Sequence, residues 1–207
     1  PDANKTEVER LLSTPVKPAD EKALWDLQQR GIAVRPLANE MHWLQANVKP
    51  QNTQPVDSIM RAITGVAEQL TWLNLGGTRI TDDMLTSVVG MKNLTRLHLE
   101  NTDITDIGLK HLTQLPYLEY LNLYGTRVTD EGIHQLASLT NLKRLYVWQT
   151  KVTPQGIAKL KEALPDLEVD RGINENRGDS PEKPEQLTDV KIKSDSENST
   201  IGLVRNR

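Results

Sequence analysis

The sequence predicts an α/β solenoid, a right-handed stack of 24-residue strand–helix repeats with a parallel sheet on its concave face. Three observations predict it. Leu70, Leu94, Leu118 and Leu142 open four segments at intervals of 24 residues, and Leu167 opens a truncated fifth after 25. Each full segment starts with alternating apolar positions: Leu73/Leu75, Leu97/Leu99, Leu121/Leu123 and Leu145/Val147. That is the period of a strand with one buried face. Each strand is then followed by a threonine suited to cap a helix and by an apolar set at helical spacing. A repeat of this length cannot bury its apolar face alone, so neighbouring copies must stack.

The elements follow in order. After each strand comes Thr81, Thr105, Thr129 or Thr153, read as a helix N-cap, and then Asp82, Asp106, Asp130 or Pro154 at the first helical position. A carboxylate suits the positive end of a helix, and proline is tolerated there because its missing N–H needs no partner. The helices are expected to bury Leu109/Leu112/Leu115, Ile133/Leu136/Leu139 and Ile157/Leu160/Leu164. Another threonine recurs between strand and helix, at Thr78, Thr102, Thr126 and Thr150. No general base recurs beside it. It reads as a hydroxyl that satisfies backbone groups leaving the strand.

Residues 1–69 read as an N-terminal cap with degenerate repeats, 70–172 as the repeats proper, and 173–207 as a polar C-terminal extension. In the cap, ADEKALWDLQQRG predicts a helix with Gly31 just past its end, IAVRP and MHWLQANV predict short strands, and PVDSIMRAITGV predicts a helix. Ala46 and Val48 precede Leu73 and Leu75 by 27 residues, which makes that segment an irregular repeat. Trp25 and Trp43 are expected in the core of the cap. The extension begins as a charged, Pro/Gly-rich linker. Its two short apolar stretches, LTDVKIKS and STIGLV, could pair and dock on the solenoid or on a partner chain. The chain starts at Pro1 without a leader pattern, so a targeting segment is expected outside it.

Composition removes several function classes. The net charge is −3, and the 11 basic residues of 68–171 face 13 acidic ones. No block therefore has the basic excess that phosphate-backbone binding requires. Cysteine is absent, which removes disulfides, thiolate zinc sites, thiol nucleophiles and CxxCH haem attachment. No HxH, HExxH or paired-carboxylate spacing points to a metal, and Gly76–Gly77 lacks the rest of a phosphate loop. No cofactor, metal site or catalytic residue is expected. His98 beside Glu100 is an acid–base pair with no nucleophile or oxyanion donors around it.

The strand positions between the leucines carry the candidate site. They form three columns: Trp72, Arg96, Tyr120, Arg144; then Asn74, His98, Asn122, Tyr146, with Glu168 expected next; then Gly76, Glu100, Tyr124, Trp148, with Asp170 expected next. Five of the chain's 8 aromatic side chains fall on these positions. Alternation points them away from the leucines, so core packing does not explain them. Aromatics interleaved with arginine are the composition of interface anchors. The expected binding surface is Trp72, Arg96, His98, Glu100, Tyr120, Asn122, Tyr124, Arg144, Tyr146 and Trp148, open to a protein partner. A glycan is the alternative ligand, with rings stacking on sugar faces and Asn74, Asn122 and Glu100 meeting hydroxyls.

The pattern LxxLxLxxTx(I/V)T(D/P) resembles the leucine-rich repeat signature LxxLxLxxNxL, with threonine at the asparagine place. More narrowly, LPYLEYLNLYGTRVTDEGI, LKRLYVWQTKVTPQGI and LPDLEVDRG resemble the C-terminal repeats of bacterial membrane-anchored proteins that carry a c-type cytochrome-like domain. ALWDLQQRGIAVRPLA and EQLTWLNLGGTRIT resemble the segment leading into those repeats. The resemblance implies an extracytoplasmic setting, in the periplasm or on the cell surface, and a protein-contact role beside a membrane or redox complex. The haem motif and membrane helices of that family are absent from this sequence, so electron transfer by this chain itself is not implied.

Overall fold

A computed structural model describes residues 6–38 and 41–172. They belong to one unit. The strand pair expected in the C-terminal extension, and its docking, lie outside the described residues.

Seven strands form one sheet in sequence order: β1 (Ala33–Pro36), β2 (Leu44–Asn47), β3 (Leu70–Asn74), β4 (Arg96–His98), β5 (Tyr120–Asn122), β6 (Arg144–Tyr146) and β7 (Glu168–Asp170). The cap strand β1 runs antiparallel to β2, and every later pair is parallel. Ala46 pairs with Leu73, the 27-residue relation expected of the irregular repeat. From β3 to β7 the partners are 24 residues apart: Leu73, Leu97, Leu121, Leu145 and Val169 lie side by side. The fold is therefore an α/β solenoid with a mostly parallel sheet.

The helices are α1 (Glu7–Ser13), α2 (Glu21–Gln29), α3 (Val56–Thr64), α4 (Asp106–Leu112), α5 (Asp130–His134) and α6 (Pro154–Ala163). Helix α2 ends at Gly31 with φ +70°, the left-handed conformation that glycine adopts without steric cost. The leucine columns are buried together with Leu109, Leu112, Ile133 and Leu160 of the helices and Leu136 of the 3₁₀ segment Gln135–Ser138, one continuous core. Thr105, Thr129 and Thr153 cap their helices through the side chain, accepting from the backbone N–H of Ile107, Glu131 and Gly156. Thr81 does not, and Asp82–Gly90 is a 3₁₀ segment. Its run Thr86–Ser87–Val88–Val89–Gly90 is poor in helix formers. The strand-exit threonines behave as expected: Thr78, Thr102, Thr126 and Thr150 donate to the carbonyls of Leu75, Leu99, Leu123 and Val147 at 2.6–2.7 Å.

The cap differs from expectation in one tryptophan. Trp43 is 4% exposed and its Nε1–H donates to the Leu12 carbonyl at 3.1 Å, which ties α1 to the cap. Trp25 is 60% exposed and is not cap core. Helix α2 instead packs through Leu27, which is fully buried, with Ala23 and Leu24 partly so.

A candidate recognition surface on the open face of the sheet

The sheet face opposite the leucines carries the three predicted columns, and strand register makes them continuous rows. In the first row Trp72, Arg96, Tyr120 and Arg144 are direct cross-strand partners. Glu168 continues this row beside Arg144, and Asp170 continues the second beside Tyr146. Both acids thus stand one row away from the sequence assignment. The cause is a shorter fifth copy: one residue separates Leu167 from Val169, where two separate Leu142 from Leu145. In the third row the residue 24 positions after Trp148 is Gly172.

Side chains along these rows pack on one another. The Arg96 guanidinium lies 4.3 Å from the Trp72 ring centroid and 5.9 Å from that of Tyr120, a cation held over aromatic faces. Tyr120 meets His98 at 4.8 Å and Tyr146 at 5.1 Å between ring centroids. Tyr124 and Trp148 stack at 4.9 Å with 17° between planes. Arg144 pairs with Glu168 at 3.5 Å. The two glycines of the third row are shaped by the same packing. A Cβ at Gly76 would collide with the Glu100 carboxylate, and a Cβ at Gly172 would collide with the Trp148 indole. The sequence reading put Gly76 in this row without a role and set Asp170 where Gly172 stands, although the 24-residue period from Trp148 leads to Gly172.

This packing covers the middle of the wall. Trp72, Arg96, Glu100, Tyr124, Tyr146 and Trp148 are half-buried and Arg144 is exposed, but His98 and Tyr120 are each only 8% exposed and Asn122 is 0% exposed. Burial, with Tyr146 and Glu100 alongside, pushes the Tyr120 hydroxyl far above its ordinary range, against the opposing effect of Arg96. Tyr120 is therefore a neutral phenol, hydrogen-bonded to Tyr146. The asparagines hold turns: Asn74 Oδ1 accepts from Gly76 N–H at 2.8 Å and Asn122 Oδ1 from Tyr124 N–H at 3.0 Å. Asp170 makes the same bond to Gly172 N–H at 2.6 Å. His98 Nδ1 lies 3.5 Å from Glu100 Oε2. Two buried polar atoms of this cluster have no hydrogen-bond partner, Glu100 Oε2 and Asn122 Nδ2.

Among the described residues no three His, Asp or Glu side chains converge as metal ligands, and no helix is long and apolar enough to cross a membrane.

Residues 68–128 match the family model described as leucine rich repeat. Among solved structures, the chain is similar to the internalin C2 of Listeria monocytogenes, at 30% identity over 56% of this chain and 46% of that one, TM-score 0.44. It is also similar to the internalin inlF of the same organism, at 25% identity over 63% of this chain and 39% of that one, TM-score 0.43. The chain thus spans less than half the length of either internalin. The structure of leiomodin-1 actin-binding site 2 matches at 18% identity over 73% of this chain and 90% of that one, TM-score 0.51, a likeness of fold alone. No curated protein matches the sequence. Residues 68–128 thus carry leucine-rich repeats within an α/β solenoid, and domains of that fold generally mediate protein–protein interaction and are typically non-catalytic scaffolds.

Proposed function

We propose that this chain is a non-catalytic recognition module that binds a protein partner through the open, concave face of its sheet. The observation that carries the reading is the row structure itself: five aromatic rings, two arginines and a His–Glu pair gathered on one face and held in place by mutual stacking. Side chains already immobilised by neighbours lose little entropy on binding, which favours them as anchors. The setting we infer, an accessory domain or subunit of an extracytoplasmic bacterial assembly, rests on the sequence resemblance to the repeat region of membrane-anchored cytochrome-like proteins.

A glycan ligand is less well supported by the same geometry. Sugar stacking needs a free ring face. The Trp148 indole has Tyr124 against it at 4.9 Å and Gly172 where a Cβ would collide with it. One face of Trp72 is occupied by Arg96.

The test is the double substitution Tyr124→Ala with Trp148→Ala. The far-ultraviolet circular dichroism should stay native, while proteins that the wild-type chain retains from a native extract should be lost. Unchanged capture by the folded double variant removes this surface as the binding site.

A further inference from the structure

We propose that the C-terminal edge of the sheet, strand β7, is a second docking surface, separate from the aromatic rows. It takes an extended segment of a partner protein in which one apolar residue stands between two lysines or arginines.

The edge offers main chain. Glu168 N–H donates to the Lys143 carbonyl at 2.8 Å, and the Asp170 carbonyl accepts from Val147 N–H at 2.9 Å. Both residues turn their main chain toward β6, so Val169 between them turns its N–H and carbonyl the other way. In every earlier repeat that side is used. Leu75, Leu99, Leu123 and Val147 give their N–H to the carbonyls of His98, Asn122, Tyr146 and Asp170 on the next strand, at 2.8–2.9 Å. Their counterpart on β7 is Arg171, and among the described residues no strand follows it. Burial is unfinished at the same place. Leu97, Leu121 and Leu145 are 0% exposed, whereas Val169, next in that row, is only partly buried. The opposite edge, β1, includes Pro36, which has no N–H to offer.

Charge selects the occupant. Glu168 and Asp170 are both exposed and flank Val169 along the strand. A strand laid beside β7 sets one side chain against each of the three. Two cations with an apolar residue between them match these positions whichever way the strand runs. Arg144 lies 3.5 Å from Glu168, so Asp170 is the stronger anchor of the two. A second copy does not match: two β7 strands paired antiparallel about Val169 would set Glu168 of each against Asp170 of the other copy, like charge on like. The chain's own residues 187–194, LTDVKIKS, keep the leucine spacing, but in the register of the repeats Asp189 falls against Glu168. A basic segment of another protein meets neither objection, and main-chain bonds to the edge supply its hold.

The test uses the full chain and two blocked synthetic peptides of one composition, TTKVKTT and TTVKKTT, followed through backbone amide signals in nuclear magnetic resonance. TTKVKTT should shift the Val169 and Arg171 amides and bind more tightly than TTVKKTT, whose charges do not alternate. Glu168→Gln with Asp170→Asn keeps the turn bond to Gly172, since Asn122 makes the same bond to Tyr124. That variant should bind TTKVKTT about threefold to thirtyfold more weakly, the worth of two exposed ion pairs. Val169→Pro removes the outward N–H, leaves the bonds of Glu168 and Asp170 to β6 in place, and should abolish the preference between the peptides. If that variant does not fold, the amide shifts in wild type decide alone. Tyr124→Ala/Trp148→Ala should bind TTKVKTT as wild type does, so failure of the edge and failure of the aromatic rows are read apart.

Equal affinity for the two peptides, or shifts confined to other strands, would overturn the edge as the site. Binding of TTKVKTT only after Lys191→Glu with Lys193→Glu would give the edge to the chain's own residues. A dimer in sedimentation velocity that Val169→Pro dissolves would give it to a second copy. Either result overturns the partner segment.

Discussion

Asp106 reaches across the repeat boundary to Thr129, accepting from its backbone N–H at 2.8 Å and from its hydroxyl at 2.6 Å. Asp82 holds Thr105 at 2.8 and 2.5 Å, and Asp130 holds Thr153 at 2.7 and 2.6 Å, in the same two-point grip. Each carboxylate occupies the space beside a helix glycine 26 residues on: Gly108, Gly132 and Gly156, where a Cβ would run into it. The ladder's ends are written in the residues. Met84 stands at the glycine place of the first repeat, and the preceding helix α3 opens with Val56, not an aspartate. At the other end Pro154 has no carboxylate to extend.

This coupling predicts non-additive stability. Asp106→Ala leaves two partly buried donors unpaired and should cost about 1–3 kcal/mol. Gly132→Ala should cost a similar amount by displacing the carboxylate. In the double variant the carboxylate clash is gone and only the Asp106 Cα, 3.1 Å from the added Cβ, still crowds it, so the cost should fall clearly below the sum of the two. Urea unfolding of the four proteins measures this, and strict additivity would mean that the glycine serves another purpose.

Much of the fold was legible because its determinants are local and periodic. The 24-residue leucine spacing carried strand order, register and the cap threonines. What stayed hidden depends on contacts between elements. Trp25 lies in a nine-residue helix whose pattern does not say which apolar side faces the core. The aspartates looked like helix-end charges, since the grip on the next threonine exists only once repeats stack. Alternation pointed the site residues away from the leucines, but it could not show that Tyr120 is walled in by His98 and Tyr146, or that Asn122 is fully buried. Glu168 and Asp170 were misplaced because the fifth copy, which supplies β7, is one residue shorter between Leu167 and Val169.

The two cap tryptophans should separate sharply. Trp43→Ala removes a buried ring and the bond to Leu12, and should cost about 3–5 kcal/mol. Trp25→Ser touches an exposed surface and should stay within about 0.5 kcal/mol of wild type. Thermal melts of both variants read this directly. An equal loss would return Trp25 to the cap core.

Gln149 holds φ +53° at the place where two other repeats have Gly77 and Gly125, both at +68°. A left-handed residue with a Cβ costs roughly 1–2 kcal/mol, partly offset by the greater chain entropy that glycine loses on folding. Gln149→Gly should therefore stabilise by about 0.5–1 kcal/mol. A lower urea midpoint for the glycine variant would show that the Gln149 side chain makes a stabilising contact of its own.

Tyr120 predicts how stability responds to alkali. Its proton is held far more tightly in the folded protein than in the unfolded chain, where tyrosine titrates near pH 10. The contribution is thus complete below about pH 10 and erodes as pH climbs past it toward the folded value, because only the unfolded state releases the proton there. Unfolding midpoints should be insensitive to this group at neutral pH and should fall above about pH 10. Tyr120→Phe removes the ionisation, so its midpoint should fall less steeply across that range even though its neutral-pH stability is lower for want of the Tyr146 bond. In the wild type, part of the phenolate absorbance should appear only together with loss of circular dichroism. If wild type and Tyr120→Phe lose stability in parallel between about pH 9 and 11, the buried phenol is not what couples this fold to alkali.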